Sequence, residues 1–195
     1  MHMFKKANLA LVILASTISM GAMAATKTYQ MDPTHTSVVV SWNHFGFSNP
    51  TADFSNVTGT INFDDKAPAK SSVDVTIPVK TVDTHVPALT AEFLEADYFD
   101  VSKFPTATFK STKVEAKGGK KYDVYGKLTI KGHSKNVVLH ATLNKEGIHP
   151  MAKVPAIGFD ATTTIKRSEF GLAKYVPYVS DAITIRISTE AEAAK

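Results

Sequence analysis

The chain reads as an all-β protein: a single eight-stranded antiparallel lipocalin-like barrel with a short helical insert around residues 84–98. Three observations predict this. Apolar and polar residues alternate with period two through eight segments, the connections are short and turn-like, and one long stretch breaks the pattern with helical spacing. Alternation with one apolar face gives half-buried strands, and short connections make neighbours antiparallel. Eight such strands must close or sandwich, and closure removes exposed edges.

The first strand sets Val38, Val40 and Trp42 against Val39, Ser41 and Asn43. The second sets Val57, Gly59, Ile61 and Phe63 against Thr58, Thr60 and Asn62. In the third, Val73, Val75, Ile77 and Val79 oppose Ser72, Asp74 and Thr76. After the insert, Ala107 and Phe109 alternate with Thr108 and Lys110. Tyr122, Val124, Leu128 and Ile130 then face away from Asp123, Lys127 and Lys131. Val137, Leu139, Ala141 and Leu143 follow, then Ile157, Phe159, Ala161 and Ile165. Ile183, Ile185 and Ile187 make the last strand. Lys117–Lys120 and Gly132–Lys135 read as hairpin loops. Gly59, Gly126 and Gly158 fall inside strands, where glycine permits sharp coiling.

The insert lies within Thr84–Phe109. Val86, Leu89 and Phe93 stand three and four apart, Pro87 suits a first turn, and Thr90 is read as the cap of a second short helix. From Tyr98 the apolar residues return to period two. A stretch carrying Phe93, Phe99, Phe104 and Phe109 needs a place to bury its rings, so it is expected to plug one end of the barrel, or to line or gate a cavity there.

Residues 1–24 read as a secretory signal peptide. Lys5 and Lys6 form the charged region, Leu9–Ala15 the apolar run, and Ala22-Met23-Ala24 the cleavage site. Seven apolar residues fall well short of the roughly 20 that span a bilayer. The expected mature domain is 25–195, addressed to the periplasm. The chain has no cysteine, so its stability in an oxidising space must come from its core rather than from disulfides. The formal charge of +4 loses two lysines with the leader, too little to argue for nucleic acid. An outer-membrane barrel shares the alternation but needs two aromatic girdles; here one Trp and six Tyr are scattered.

Catalytic and metal signatures are weak. Asp32, His35 and Ser37 have the residue types of a triad, but side chains two apart on a strand lie about 6.6 Å apart along it, too far for a direct hydrogen bond. No pair of histidines has tight ligand spacing, so no metal is expected. The charged run Lys166–Leu172 reads as an Arg–carboxylate staple or as a polar rim for a ligand headgroup.

Asp32-Pro33-Thr34-His35-Thr36-Ser37 and His44-Phe45-Gly46-Phe47-Ser48 resemble the opening signature of the YceI-like family. Gly59–Asp64, Ala96–Val101, Phe104–Phe109, Gly126–Gly132, Arg167–Leu172 and Val179–Asp181 are similar to its later blocks, in order, across the mature chain. Members often carry D-x-H-L-R before the second of these; Thr90-Ala91-Glu92-Phe93-Leu94 stands there instead. The resemblance implies a lipocalin-like barrel with a long apolar tunnel for a polyisoprenoid, often as a homodimer, and no catalytic residues.

The expected function is therefore a secreted, non-enzymatic binding protein for a long isoprenoid lipid of quinone or polyprenyl type, with no other cofactor. The expected lining comprises Val38, Val40, Trp42, Ile61, Phe63, Val75, Ile77 and Phe93. Phe99, Phe109, Val124, Leu128, Leu139, Phe159, Ile183 and Ile185 complete it, with His35, His44 and Arg167 as a headgroup rim. The competing expectation is an envelope protein with a filled core, related to stress and acting through a protein partner. An enzyme ranks third.

Overall fold

The computed structural model describes residues 26–193, so the leader read over residues 1–24 lies outside the described part. Ten strand segments are present: β1 (Lys27–Met31), β2 (Ser37–Ser41), β3 (Thr51–Phe54), β4 (Thr58–Phe63), β5 (Ser72–Pro78), β6 (Thr106–Gly118), β7 (Lys121–Ile130), β8 (His133–Ile148), β9 (Pro155–Lys166) and β10 (Ala182–Ala193). They form one sheet, and β1 pairs with both β4 and β10, which closes it into a barrel.

Ten segments make eight strands because two strands are broken. β2 and β1 run in succession along β10, at Thr184–Ser188 and near Ala191–Ala193 respectively. The break is the turn at Asp32–Thr34, where the Asp32 carboxylate accepts from the backbone N–H and hydroxyl of Thr34. The next strand breaks after β3, where Asn56 takes a left-handed φ of 54°. β4 pairs with β5, while above the break Asp53 bridges Asp83. The eight-stranded antiparallel barrel read from the sequence is thus present; the two segments absent from that reading, β1 and β3, are the short missing halves of its first two strands.

Other differences are local. The tight turn between β7 and β8 sits at Lys131-Gly132, both at positive φ, so His133–Lys135 already belong to β8 rather than to a loop. β6 runs on past Lys110 to Gly118, with a bulge between Ser111 and Lys113. The insert holds one helix, α1 (Pro87–Leu94), with Pro87 in its first turn. Thr90 caps no second helix. Its hydroxyl lies 2.8 Å from that of Thr84 and accepts from the Thr84 N–H, tying the start of the insert down. Residues 95–104 are turns, so period two resumes at Thr106 and not at Tyr98.

The described core comprises the inward faces of all the strands. Two aromatic groups mark its ends. At the lower end Phe63, Tyr122 and Phe159 pack edge to face, with centroids 5.6–6.2 Å apart. At the upper end Phe93 of α1 lies 5.6 Å from Trp42 and stacks on Tyr98 at 4.9 Å. The insert sits across that end.

Candidate functional site

Side chains on the inward face of a strand recur every second residue, so a barrel of eight strands is lined by short, evenly spaced rows. Here the rows are mainly Val, Ile and Ala, and they enclose a cavity of about 550 Å³. Its lining runs along β10 from Ile183 to Thr189, about 20 Å at the usual rise per residue. That volume lies within the range of sites that take a ligand of small-molecule size.

All sixteen residues named from the sequence as apolar lining face this cavity. Ile61, Val75, Phe109, Val124 and Leu128 form its walls at mid-height, and each is buried. Trp42, Phe93 and Phe99 stand at the upper mouth under α1, where Phe99 also meets Phe54 edge to face. Val86, part of the helical stripe in the sequence, is exposed at the rim and does not sit in the core.

The three residues read as a headgroup rim separate. His35 is not at the cavity. It stands at the break between β1 and β2, its Nδ1 2.6 Å from an Asp32 oxygen, and borders a different, shallower depression. It meets Asp32 across a turn, three residues apart, a contact that the spacing of side chains along a strand did not cover. His44 does line the mouth, in a loop whose backbone bridges Ser48 and Val179. Arg167 faces the cavity but is spent. It is 8% exposed and donates from Nε to the Ser180 carbonyl at 2.9 Å, from Nη2 to that of Val179 at 2.9 Å, and from Nη1 to that of Leu172. Burial lowers its pKa from the ordinary guanidinium value, with Asp181 opposing. The staple foreseen there exists, but it grips backbone carbonyls rather than a carboxylate. Asp181 instead accepts from the N–H and hydroxyl of Ser168, both at 2.8 Å.

The polar group that sequence reasoning missed is at the mouth. Lys174 Nζ lies 3.1 Å from Glu92 on α1 and 3.2 Å from Asp97 beyond it. The same ammonium sits 5.2 Å from the centre of the Tyr98 ring and 5.4 Å from that of Tyr175. The two carboxylates raise the Lys174 pKa further above the ordinary lysine value. Burial, with Glu92 beside it, raises that of Tyr98. No local motif links Glu92 to Lys174, because only the fold brings the insert and the β9–β10 loop together.

At the opposite end His149, Glu190 and Glu192 come within metal-ligating distance of one another, a grouping the sequence spacing did not suggest. His149 Nδ1 accepts from the backbone N–H of Met151 and Ala152, at 3.2 and 2.9 Å. The neutral ring therefore carries its proton on Nε2, which faces Glu190 at 3.2 Å. This hydrogen bonding pins the β8–β9 turn to β10. Among the described residues, no helix is long and apolar enough to cross a membrane.

A profile of the YceI-like domain matches residues 29–191. A UPF0312 protein of Ectopseudomonas mendocina is 35% identical over 188 residues, covering 96% of this chain and 98% of its own. Among solved structures, Burkholderia cenocepacia BcnA is similar with a TM-score of 0.75 at 27% identity, covering 82% of this chain and 98% of that one. A polyisoprenoid binding domain from Saccharophagus degradans, implicated in plant cell wall breakdown, shares the fold at a TM-score of 0.65 and 15% identity, over 85% and 98% of the two chains. With its closed barrel, its insert over one end and this profile match across the described strands, the chain belongs to the YceI-like family.

Proposed function

We propose that this protein binds a long isoprenoid lipid with a neutral ring headgroup, of quinone type, and carries it in the periplasm after cleavage of its leader behind Ala24. The observation that carries the reading is the cavity of about 550 Å³ running along the barrel with an almost wholly apolar wall. A flexible hydrocarbon chain gains about 25 cal/mol for each Å² it buries there. The polyisoprenoid binding domain of the same fold supports the choice of chain. The charge at the mouth supports the choice of head. Lys174 is paired to two carboxylates and Arg167 to three carbonyls, so a phosphate would have to break one of these sets to gain a cation. A neutral ring meets Trp42, Phe93, Tyr98 and Tyr175 without that cost. The reading is non-catalytic. It is preferred to a filled core acting through a protein partner because the barrel interior is open.

Native mass spectrometry of protein from its own host tests it. The expected mass is that of a chain starting at Ala25 plus a quinone-sized adduct. Leu139→Trp sharpens the test, because Leu139 faces the cavity on β8. The added ring can occupy ligand space, so the stripped variant should melt near the parent while retaining far less lipid. If the interior is instead packed, overpacking costs about 1–3 kcal/mol. A parent without adduct combined with a strongly destabilised variant would overturn the carrier reading.

A further inference from the structure

Seven large apolar side chains stand exposed among the described residues, and five of them, Phe45, Phe47, Val86, Tyr175 and Tyr178, ring one end of the barrel. That end is the mouth of the cavity, since Val86, Tyr175 and the intervening His44 and Pro50 also line it. Phe47 is 91% exposed and Tyr178 72%.

These rings are held out by built structure. The turn carrying them has Phe45 and Gly46 at positive φ, and the Gly46 N–H donates to Asn43 Oδ1 at 2.8 Å. The His44 N–H donates to the Ser48 carbonyl at 2.9 Å. The second loop is tied to the first: Phe45 N–H donates to the Tyr178 carbonyl at 3.1 Å, Ser180 N–H to that of Asn43 at 2.9 Å, and the Phe45 and Tyr178 rings stack at 6.3 Å. Two loops from distant parts of the chain thus form one preformed aromatic lip. Contiguous exposed apolar surface of this kind marks an interaction site.

We infer that this lip docks on the surface of a lipid bilayer, setting the cavity mouth against the phase in which a long isoprenoid dissolves. The inference rests on the ligand class proposed above and adds the surface from which the ligand is taken. Phe, Tyr and the shorter apolar side chains are suited to the interface between headgroups and acyl chains. The charge around the lip sets the kind of membrane. Lys174 is already paired to Glu92 and Asp97, and Asp53 and Asp83 hold His85. Among the described residues, the Lys and Arg side chains that line the mouth, Lys174 and Arg167, are thus already held by protein groups, and docking draws on insertion of the exposed rings. Neutral phospholipid suffices, and added salt should weaken binding little.

The test uses the mature chain, phosphatidylcholine vesicles and the double variant Phe47→Ser, Tyr178→Ser. Neither residue lines the cavity, and both are exposed, so the melting temperature should hold. The wild type should sediment with the vesicles, and the variant's partition should fall by about tenfold or more. Uptake of a quinone from the vesicles should slow with it, while uptake of the same quinone from detergent stays unchanged. A wild type that does not partition, or a variant that partitions equally, overturns the inference. So does a wild-type dimer that the variant splits without any vesicle binding, because the lip then joins two copies of this chain. A wild type that binds vesicles but takes up no quinone from detergent overturns the ligand reading and supports the docking.

Discussion

His35 shows how far one residue can be read from its neighbours. Its place near a strand start was legible, but not its partner. The structure gives it Asp32, whose pKa is lowered to about 2, first by the hydrogen bond with His35 and then by that with Thr34. Asp32 raises the His35 pKa in return, through that hydrogen bond and then through its charge. The signs fix a window. Asp32, lower in the folded state, contributes stability above its unfolded value near 3.9 that is lost as pH falls toward 2. His35, higher in the folded state, contributes stability below its unfolded value near 6.5 that is lost as pH rises through its folded value. The pair is therefore most stabilising between about pH 4 and 6.5. In Asp32→Asn the His35 pKa, followed by NMR titration, should drop toward 6.5; an unchanged value would mean that the ion pair does not exist in solution. Arg167 teaches the complementary lesson. A charged residue after a strand was legible as a staple, but a guanidinium bonded to three carbonyls of its own loop leaves no trace in local spacing.

At the scale of elements, period two found β2 and β4 to β10, eight of the ten strand segments described. It passed over β3, whose four residues include only Ala52 and Phe54 facing inward. It also passed over β1, where Tyr29 and Met31 alternate correctly but stand just after the stretch read as a leader. The far half of β6 was invisible because Ser111–Lys117 is polar on both faces apart from Val114 and Ala116. The helix was legible from Val86, Leu89 and Phe93, yet the exposure of Val86, which caps its start, was not, since spacing does not distinguish a core from a rim. Gly126 was read as a residue that permits coiling; what the structure shows is a close approach that leaves no room for a side chain. A methyl group there would strike the Phe109 ring on β6 and lie 2.7 Å from the Lys110 carbonyl. Gly126→Ala should therefore force Phe109 from its rotamer or spread β6 from β7, costing about 1–3 kcal/mol in urea unfolding. A variant as stable as the parent would mean that the β6–β7 pairing yields freely at this point.

The whole molecule depends on how the circuit closes, and this was the least legible feature. The alternation demanded closure, but the residues that deliver it sit in β1, which begins just after the stretch read as a leader. β1 pairs from Lys27 to Gln30 with β4 and from Tyr29 to Met31 with β10. Tyr29 is fully buried, and its hydroxyl donates to Glu146 on β8 at 3.1 Å, while Lys27 meets the same carboxylate at 2.8 Å. The upper half closes separately, through β2, β3 and the Asp53–Asp83 bridge. Removing β1 should thus open only the lower half of the barrel. It would free the ladder groups of β4 and the end of β10, and uncover Ile61, Phe63 and Ala191, which are buried in the intact barrel. Unpaired edges of that kind template association with other chains. A chain beginning at Asp32 should lose the cooperative melting of one beginning at Thr26. It should elute as oligomers, and it should retain no ligand because the cavity wall is breached beside Met31 and Ile61. Size-exclusion chromatography and thermal melting of the two chains check this together. A monomer melting with the longer chain would show that the lower circuit closes by direct pairing of β4 with β10, and that β1 is an attachment to the barrel rather than one of its staves.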